Sequence, residues 1–256
     1  MKAPLLLVAA LSLGATLVAP DAGAQDAKRY RLELKTIAVQ DLSAVGQGEQ
    51  KQEFSLSGQV RVTATDSAGG QAVAVVVDSL QASAGSPLPA ELIASLVGTT
   101  WTGYRAPNGR VTELRTGTDL PGGQLVEGAL MQLFPPIAAG TPGGKAWTDT
   151  LDTEEAGLGI RTVTNFQTAD EIHEGKKATR LAGASSSAIS GVQESPQGSL
   201  SIEGTGTSTV SWLIAADGSV VTGTFAQDQV LEITVPALPA PIPVKVHNEG
   251  TSTIVR

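Results

Sequence analysis

The stretch Ser199–Val235, SLSIEGTGTSTVSWLIAADGSVVTGTFAQDQVLEITV, carries the clearest strand pattern in the chain. Val210, Trp212 and Ile214 recur at every second position, Ala216-Asp217-Gly218-Ser219 supplies a turn, and Val220–Phe225 returns before Leu231, Ile233 and Val235. Period-two alternation on both sides of an Asp-Gly turn specifies an antiparallel hairpin. Upstream, Lys177–Ser190 predicts a pair of Ala/Ser-rich strands. Ile160, Thr162, Thr164 and Phe166 mark another, and Trp147–Leu151 opens this β-rich half. Downstream, Pro236–Pro243 is too rich in proline for central sheet, because proline cannot donate to a ladder. It leads to a last strand between Val244 and Val255.

The N-terminal half follows the same logic. Tyr30, Leu32 and Leu34 face one way while Arg29, Arg31, Glu33 and Lys35 face the other, which is a strand with one wet face. Polar Asp41–Gln52 reads as a connection, and Phe54–Thr65 pairs with Ala72–Leu80 across Asp66–Gly70. A helix then enters at Pro87 and Pro89, carries Leu92, Ile93, Leu96 and Val97 at helical spacing, and stops at Gly98. Trp101–Tyr104, Pro107-Asn108-Gly109 and Arg110–Leu114 form a second hairpin. A second helix runs from about Gly123 to Phe134 with Leu125, Val126, Ala129, Leu130, Leu133 and Phe134 on one stripe, ended by Pro135-Pro136. The Pro/Gly-rich connector Pro135–Lys145 separates two comparable halves, 26–134 and 146–256. Trp101 precedes Asn108-Gly109-Arg110-Val111 as Trp212 precedes Asp217-Gly218-Ser219-Val220, which marks either a duplicated unit or the reuse of one turn chemistry. The expected fold is mainly β (α+β): a curved antiparallel meander or half-barrel with two short helices near the middle.

Composition narrows the function. The 256 residues hold 17 Lys+Arg against 25 Asp+Glu, a net charge of −8, which argues against nucleic acid as partner. With no Cys there is no disulfide, zinc-thiolate site, iron–sulfur site or cysteine nucleophile. Lys2, the apolar run Leu5–Val18 and the small residues Ala22-Gly23-Ala24 read as a signal peptide, residues 1–24, cleaved after Ala24. The run is shorter than the roughly 20 residues a permanent span requires. The expectation is a single domain, 25–256, exported to the periplasm or beyond, with no lipid anchor because no Cys stands at the cut.

Catalytic constellations fail on spacing. In a strand, Asp170-Glu171-Ile172-His173-Glu174 puts only Glu171 on the face of His173, so a metal site would need residues from elsewhere, and the lone His247 is read as no ligand. Ser185, Ser186 and Ser187 follow Gly183 without the second glycine of a nucleophile elbow. Gly140–Ala146 resembles a phosphate loop but has Ala146 where a magnesium-binding hydroxyl belongs. The carboxylates Asp149, Asp152, Glu154 and Glu155 lack the aromatic supply of a sugar site, since the whole chain has 3 Trp, 2 Tyr and 4 Phe. No catalytic residue, metal ligand or cofactor is expected. What remains is apolar: Leu92, Leu96, Val126, Leu130, Leu133 and Phe134 on two helices facing a sheet, either lining a ligand cavity or filling the core.

The opening Tyr30-Arg31-Leu32-Glu33-Leu34 strand, the segment from Pro135-Pro136 through Gly143-Gly144-Lys145-Ala146-Trp147-Thr148-Asp149, and Gly204-Thr205-Gly206-Thr207 ahead of Trp212 resemble bacterial secreted or lipoprotein families built as long meanders. The layout is similar to half-barrel lipoprotein carriers of the LolA/LolB/LppX kind. That resemblance implies lipid handling, and it covers architecture alone. The leading expectation is a non-enzymatic exported protein that binds a lipid or other apolar molecule. The alternatives are a structural or protein-interaction module of the cell envelope, and a hydrolase whose carboxylates the fold gathers.

Overall fold

The computed structural model describes residues 27–43, 46–84, 86, 88–117, 123–155, 157–195, 198–236, 238 and 240–255; residues 1–24, read above as a signal peptide, and Pro87 lie outside them. The fold is mainly β, one open antiparallel sheet with two helices. In chain order the elements are β1 (Lys28–Asp41), β2 (Glu49–Ser67), β3 (Gly70–Ala82), α1 (Ala90–Leu96), β4 (Thr100–Arg105), β5 (Val111–Thr116) and α2 (Gly123–Met131). There follow β6 (Ala146–Glu155), β7 (Leu158–His173), β8 (Lys176–Ser195), β9 (Gly198–Ala215), β10 (Val220–Thr234) and β11 (Ile242–Val255).

The sheet order is β5-β4-β3-β2-β1-β11-β10-β9-β8-β7-β6. Each half is a meander, and the two meet where β1 pairs β11, Leu34 opposite Gly250. Consecutive β5 and β6 therefore occupy opposite edges, and the chain between them must cross a face. Laid flat, ten spacings of about 4.8 Å would hold those edges about 48 Å apart. Yet Arg110, immediately before β5, is ion-paired with Asp149 on β6, so the sheet curls until its edges nearly meet. A single hydrophobic cluster confirms the curl: Val75 of β3 and Trp101 of β4 share it with Leu181 of β8 and Phe166 of β7, with Leu130 of α2 between them.

Two hairpin turns grip the crossing segment. Ala106–Arg110 and Ala215–Ser219 have the same hydrogen bonds, Gly109 N to Ala106 O at 2.8 Å and Gly218 N to Ala215 O at 2.9 Å. Each glycine has φ above +80°, and each lies against the connector, Gly109 on the Ile137 backbone and Gly218 on Ala139. Only glycine meets both demands cheaply. Further back, Trp212 Nε1 donates to Gln132 O at 2.7 Å, fastening the end of α2 to β9.

Four sequence expectations need correction. Lys177–Ser190 is not two strands but part of the twenty-residue β8. Its Gly183 makes no turn and lies extended beneath Phe166 and Val210, where a Cβ would stand 2.8 Å from each side chain. The connection after β1 is shorter than Asp41–Gln52, because Glu49–Glu53 already pair with β1. These residues are polar and exposed on both faces, and β3 begins pairing β2 only at Leu56. α2 ends at Met131, not Phe134. Finally, the proline-rich connection delivers a central strand: Pro243 stands opposite Glu232 of β10 but beyond the last β1 pair, Gln40 with Val244, so its missing N–H breaks no β1 ladder.

The two glycine environments give opposite expectations. Gly183→Ala overpacks the inner face and should lower stability by about 1–3 kcal/mol. Gly128→Ala, on the exposed side of α2 with nothing within 4 Å, should raise it by about 0.5–1 kcal/mol. Urea denaturation of both variants checks the pair.

Candidate functional site

The inner face, the one bearing Tyr30, Val60, Trp212, Leu181 and Phe166, is divided along the strands. Its near half lies under α2 and the connector. Of the six residues expected to face a cavity, Leu96, Val126, Leu130, Leu133 and Phe134 sit in the packed cluster, while Leu92 is half-buried on α1 outside it. Val126 borders a crevice with Leu32, Leu34, Leu56 and Leu80, but at ≈ 20 Å³ it has room for about one water. Directly beneath α2 the near half is packed as core.

The far half is different. Six adjacent strands place Thr36, Asn248, Gln227, Ser208, Ser185 and Thr164 side by side at one level of the inner face, by direct register. Thr36 donates to Asn248 Oδ1 at 2.9 Å, Asn248 Nδ2 reaches Gln227 Oε1 at 3.3 Å, and Thr164 bonds Ser185 at 2.8 Å. The band ends at Asp149, opposite Thr164 and paired with Arg110. Beyond it lies a second apolar patch. Val244, Leu231, Ile189 and Ile160 form one row across β11 to β7, and Ile242, Ile233, Ile202 and Leu158 the next. Val244, Ile189 and Ile202 are buried and the others half-buried, yet none belongs to the cluster under α2. Sequence reading missed this band because small polar residues at alternating positions look like exposed faces. The available signal was parity with Tyr30 and Trp212.

The near end of the sheet holds a pocket of ≈ 510 Å³ between the start of β1, the end of β4 and the β9–β10 turn. Lys28 Nζ is 2.7 Å from Asp217 Oδ2, and Ser219 N and Oγ both donate to Asp217 Oδ1. Burial pulls the Asp217 carboxyl upward, but Lys28 and Ser219 outweigh it and hold it at about 2. Burial, helped by Asp217 and opposed by Arg105, pushes the Tyr30 phenol up to about 12. Arg105 is half-buried, and burial lowers its pKa below the usual guanidinium value.

The residues weighed for catalysis are dispersed. His173 ends β7 with Nε2 3.9 Å from Glu174. Glu171 is held by the Arg180 fork at 2.6 and 2.8 Å, which lowers its carboxyl pKa. Asp170 accepts from Gly143 N, and His247 bonds Asp228 at 2.8 Å on the outer face. Ser185 belongs to the polar band, and Asp152 is 3.9 Å from Arg161. Among the described residues no three His, Asp or Glu side chains stand close enough to hold a metal ion. Among the described residues no helix is long and apolar enough to cross a membrane.

The Asp217 carboxyl sits below its ordinary value of 3.8 in the folded state, so the stability it contributes is complete above about pH 4 and lost as pH falls toward 2. Asp217→Asn should flatten the acid limb of the stability curve in that window and leave the curve's shape above pH 5 unchanged, as thermal melts across pH 2–7 would read.

The chain matches no protein-family model and no curated protein, and its candidate site is defined by its own geometry.

Proposed function

We propose that this is an exported, non-enzymatic binding protein that takes a lipid or other apolar molecule along the far half of its inner face. The observation that carries the reading is the patch around Leu231, Ile233, Ile160 and Ile242, half-buried side chains on the curled face that no described helix joins to the main core. Apolar surface on the hollow side of a sheet is sheltered enough to exclude water around a ligand, yet here it remains reachable. The adjoining band of hydroxyl and amide groups offers hydrogen bonds to a polar head. The similarity of layout to LolA/LolB/LppX-like carriers points the same way.

A second reading, an interaction module of the cell envelope, is favoured by the outer edge of β6, which pairs only with β7 and carries Leu151 at 47% exposure. The two readings part experimentally. Leu231→Asp should weaken uptake of the neutral apolar dye Nile red at least tenfold, whereas Thr209→Asp on the outer face should leave it unchanged. Native mass spectrometry of protein recovered from an exporting cell should show lipid-sized mass above the apoprotein. Absence of both dye uptake and added mass would remove the binding reading.

A further inference from the structure

The near-end pocket contains a cation that the fold does not neutralise. Arg105 donates from Nε to Gly109 O at 3.3 Å and from Nη2 to Gly218 O at 3.4 Å, both long contacts to neutral carbonyls. Among the described residues it has no carboxylate in ion-pair contact; Asp217, in the same pocket and close enough to act on it through charge, is bonded to Lys28 and Ser219. A guanidinium has five N–H groups. Among the described residues Nη1 and the second Nη2 hydrogen have no partner, and they form the end-on fork that matches a carboxylate.

The walls define the rest of the ligand. Val62, Ala64 and Leu133 supply an apolar side to the ≈ 510 Å³ pocket, and Gln71, whose amide donates to Asp66 Oδ1 at 3.2 Å, also lines it. Lys28 and Arg105 against Asp217 leave one positive charge, which complements a monoanion. A phosphate dianion would leave an excess negative charge beside Asp217. A half-buried guanidinium without a counter-ion is costly to maintain, and a bound carboxylate relieves that cost.

We propose that this pocket binds a small organic monocarboxylate, its carboxylate on the free fork of Arg105 and its apolar body against Val62, Ala64 and Leu133. The site is at the end of the sheet opposite the far apolar patch and does not depend on lipid binding there.

Isothermal titration calorimetry at pH 7 with sodium hexanoate, hexanamide and inorganic phosphate tests the assignment on the unaltered protein. Saturable one-to-one hexanoate binding is expected, with hexanamide and phosphate each at least tenfold weaker. Arg105→Gln should abolish the hexanoate heat while circular dichroism stays native. Should that variant unfold, Gln71→Glu, which adds a competing carboxylate to the pocket lining, should weaken hexanoate severalfold without touching either Arg105 carbonyl contact. No saturable hexanoate binding, equal binding of hexanamide, stronger binding of phosphate, or hexanoate affinity unchanged in either folded variant would overturn the proposal.

Discussion

The placement of consecutive strands β5 and β6 at opposite edges of one sheet is the constraint on which the rest of the molecule depends. A chain leaving one edge and re-entering at the other has to traverse a face, and the traversing segment is apolar where it does so. Leu130, Leu133, Phe134 and Ile137 are all buried there. Each such side chain contributes on the order of 1.5–3 kcal/mol when fully withdrawn from water. The sheet gains that burial only by curling around the segment, and the curl is what brings Arg110 to Asp149. With side-chain relative exposures of 34% and 29%, that pair contributes modestly; it is a consequence of curvature more than its cause.

The division of the inner face follows from lengths. α2 has nine residues, about 14 Å of helix at 1.5 Å per residue. β8 has twenty and β9 eighteen, which at about 3.3 Å per residue are about 60 Å or more of strand. A cover so short cannot follow strands so long. Where it ends, inward-facing groups are neither fully dry nor fully wet, and there the polar band satisfies itself by cross-strand hydrogen bonds. Past the band, apolar side chains shelter one another instead: Leu231 lies over Gly204, where a Cβ would meet its Cδ2 at 2.6 Å.

Much of the architecture was legible because local rules and the global fold agree. The Asn108-Gly109 and Asp217-Gly218 turns, the Tyr30-Leu32-Leu34 alternation and the α1 stop at Gly98, φ +82°, all express backbone preferences that neighbours reinforce. The failures were long-range. Lys177–Ser190 read as a pair of strands because the reason for Gly183 inside one continuous strand, the Phe166 and Val210 side chains crossing over it, lies on neighbouring strands. Pro243 argued against a central strand because sequence does not show that β1 stops pairing one residue earlier. The apolar faces of the helices were visible, but a face that fills a core and one that lines a cavity have the same spacing. Arg105 was invisible as a candidate because its significance is the absence of a partner, which only geometry reveals.

The central claim, that the sheet curls until its two edge strands nearly meet, is open to a direct distance measurement. The chain has no native cysteine, so spin labels at Thr112→Cys on β5 and Thr150→Cys on β6, both exposed positions, can be placed without background. Double electron–electron resonance should return one narrow distribution centred below about 30 Å, allowing for the label arms. A distribution centred near the about 48 Å of a flat eleven-strand sheet would contradict the account.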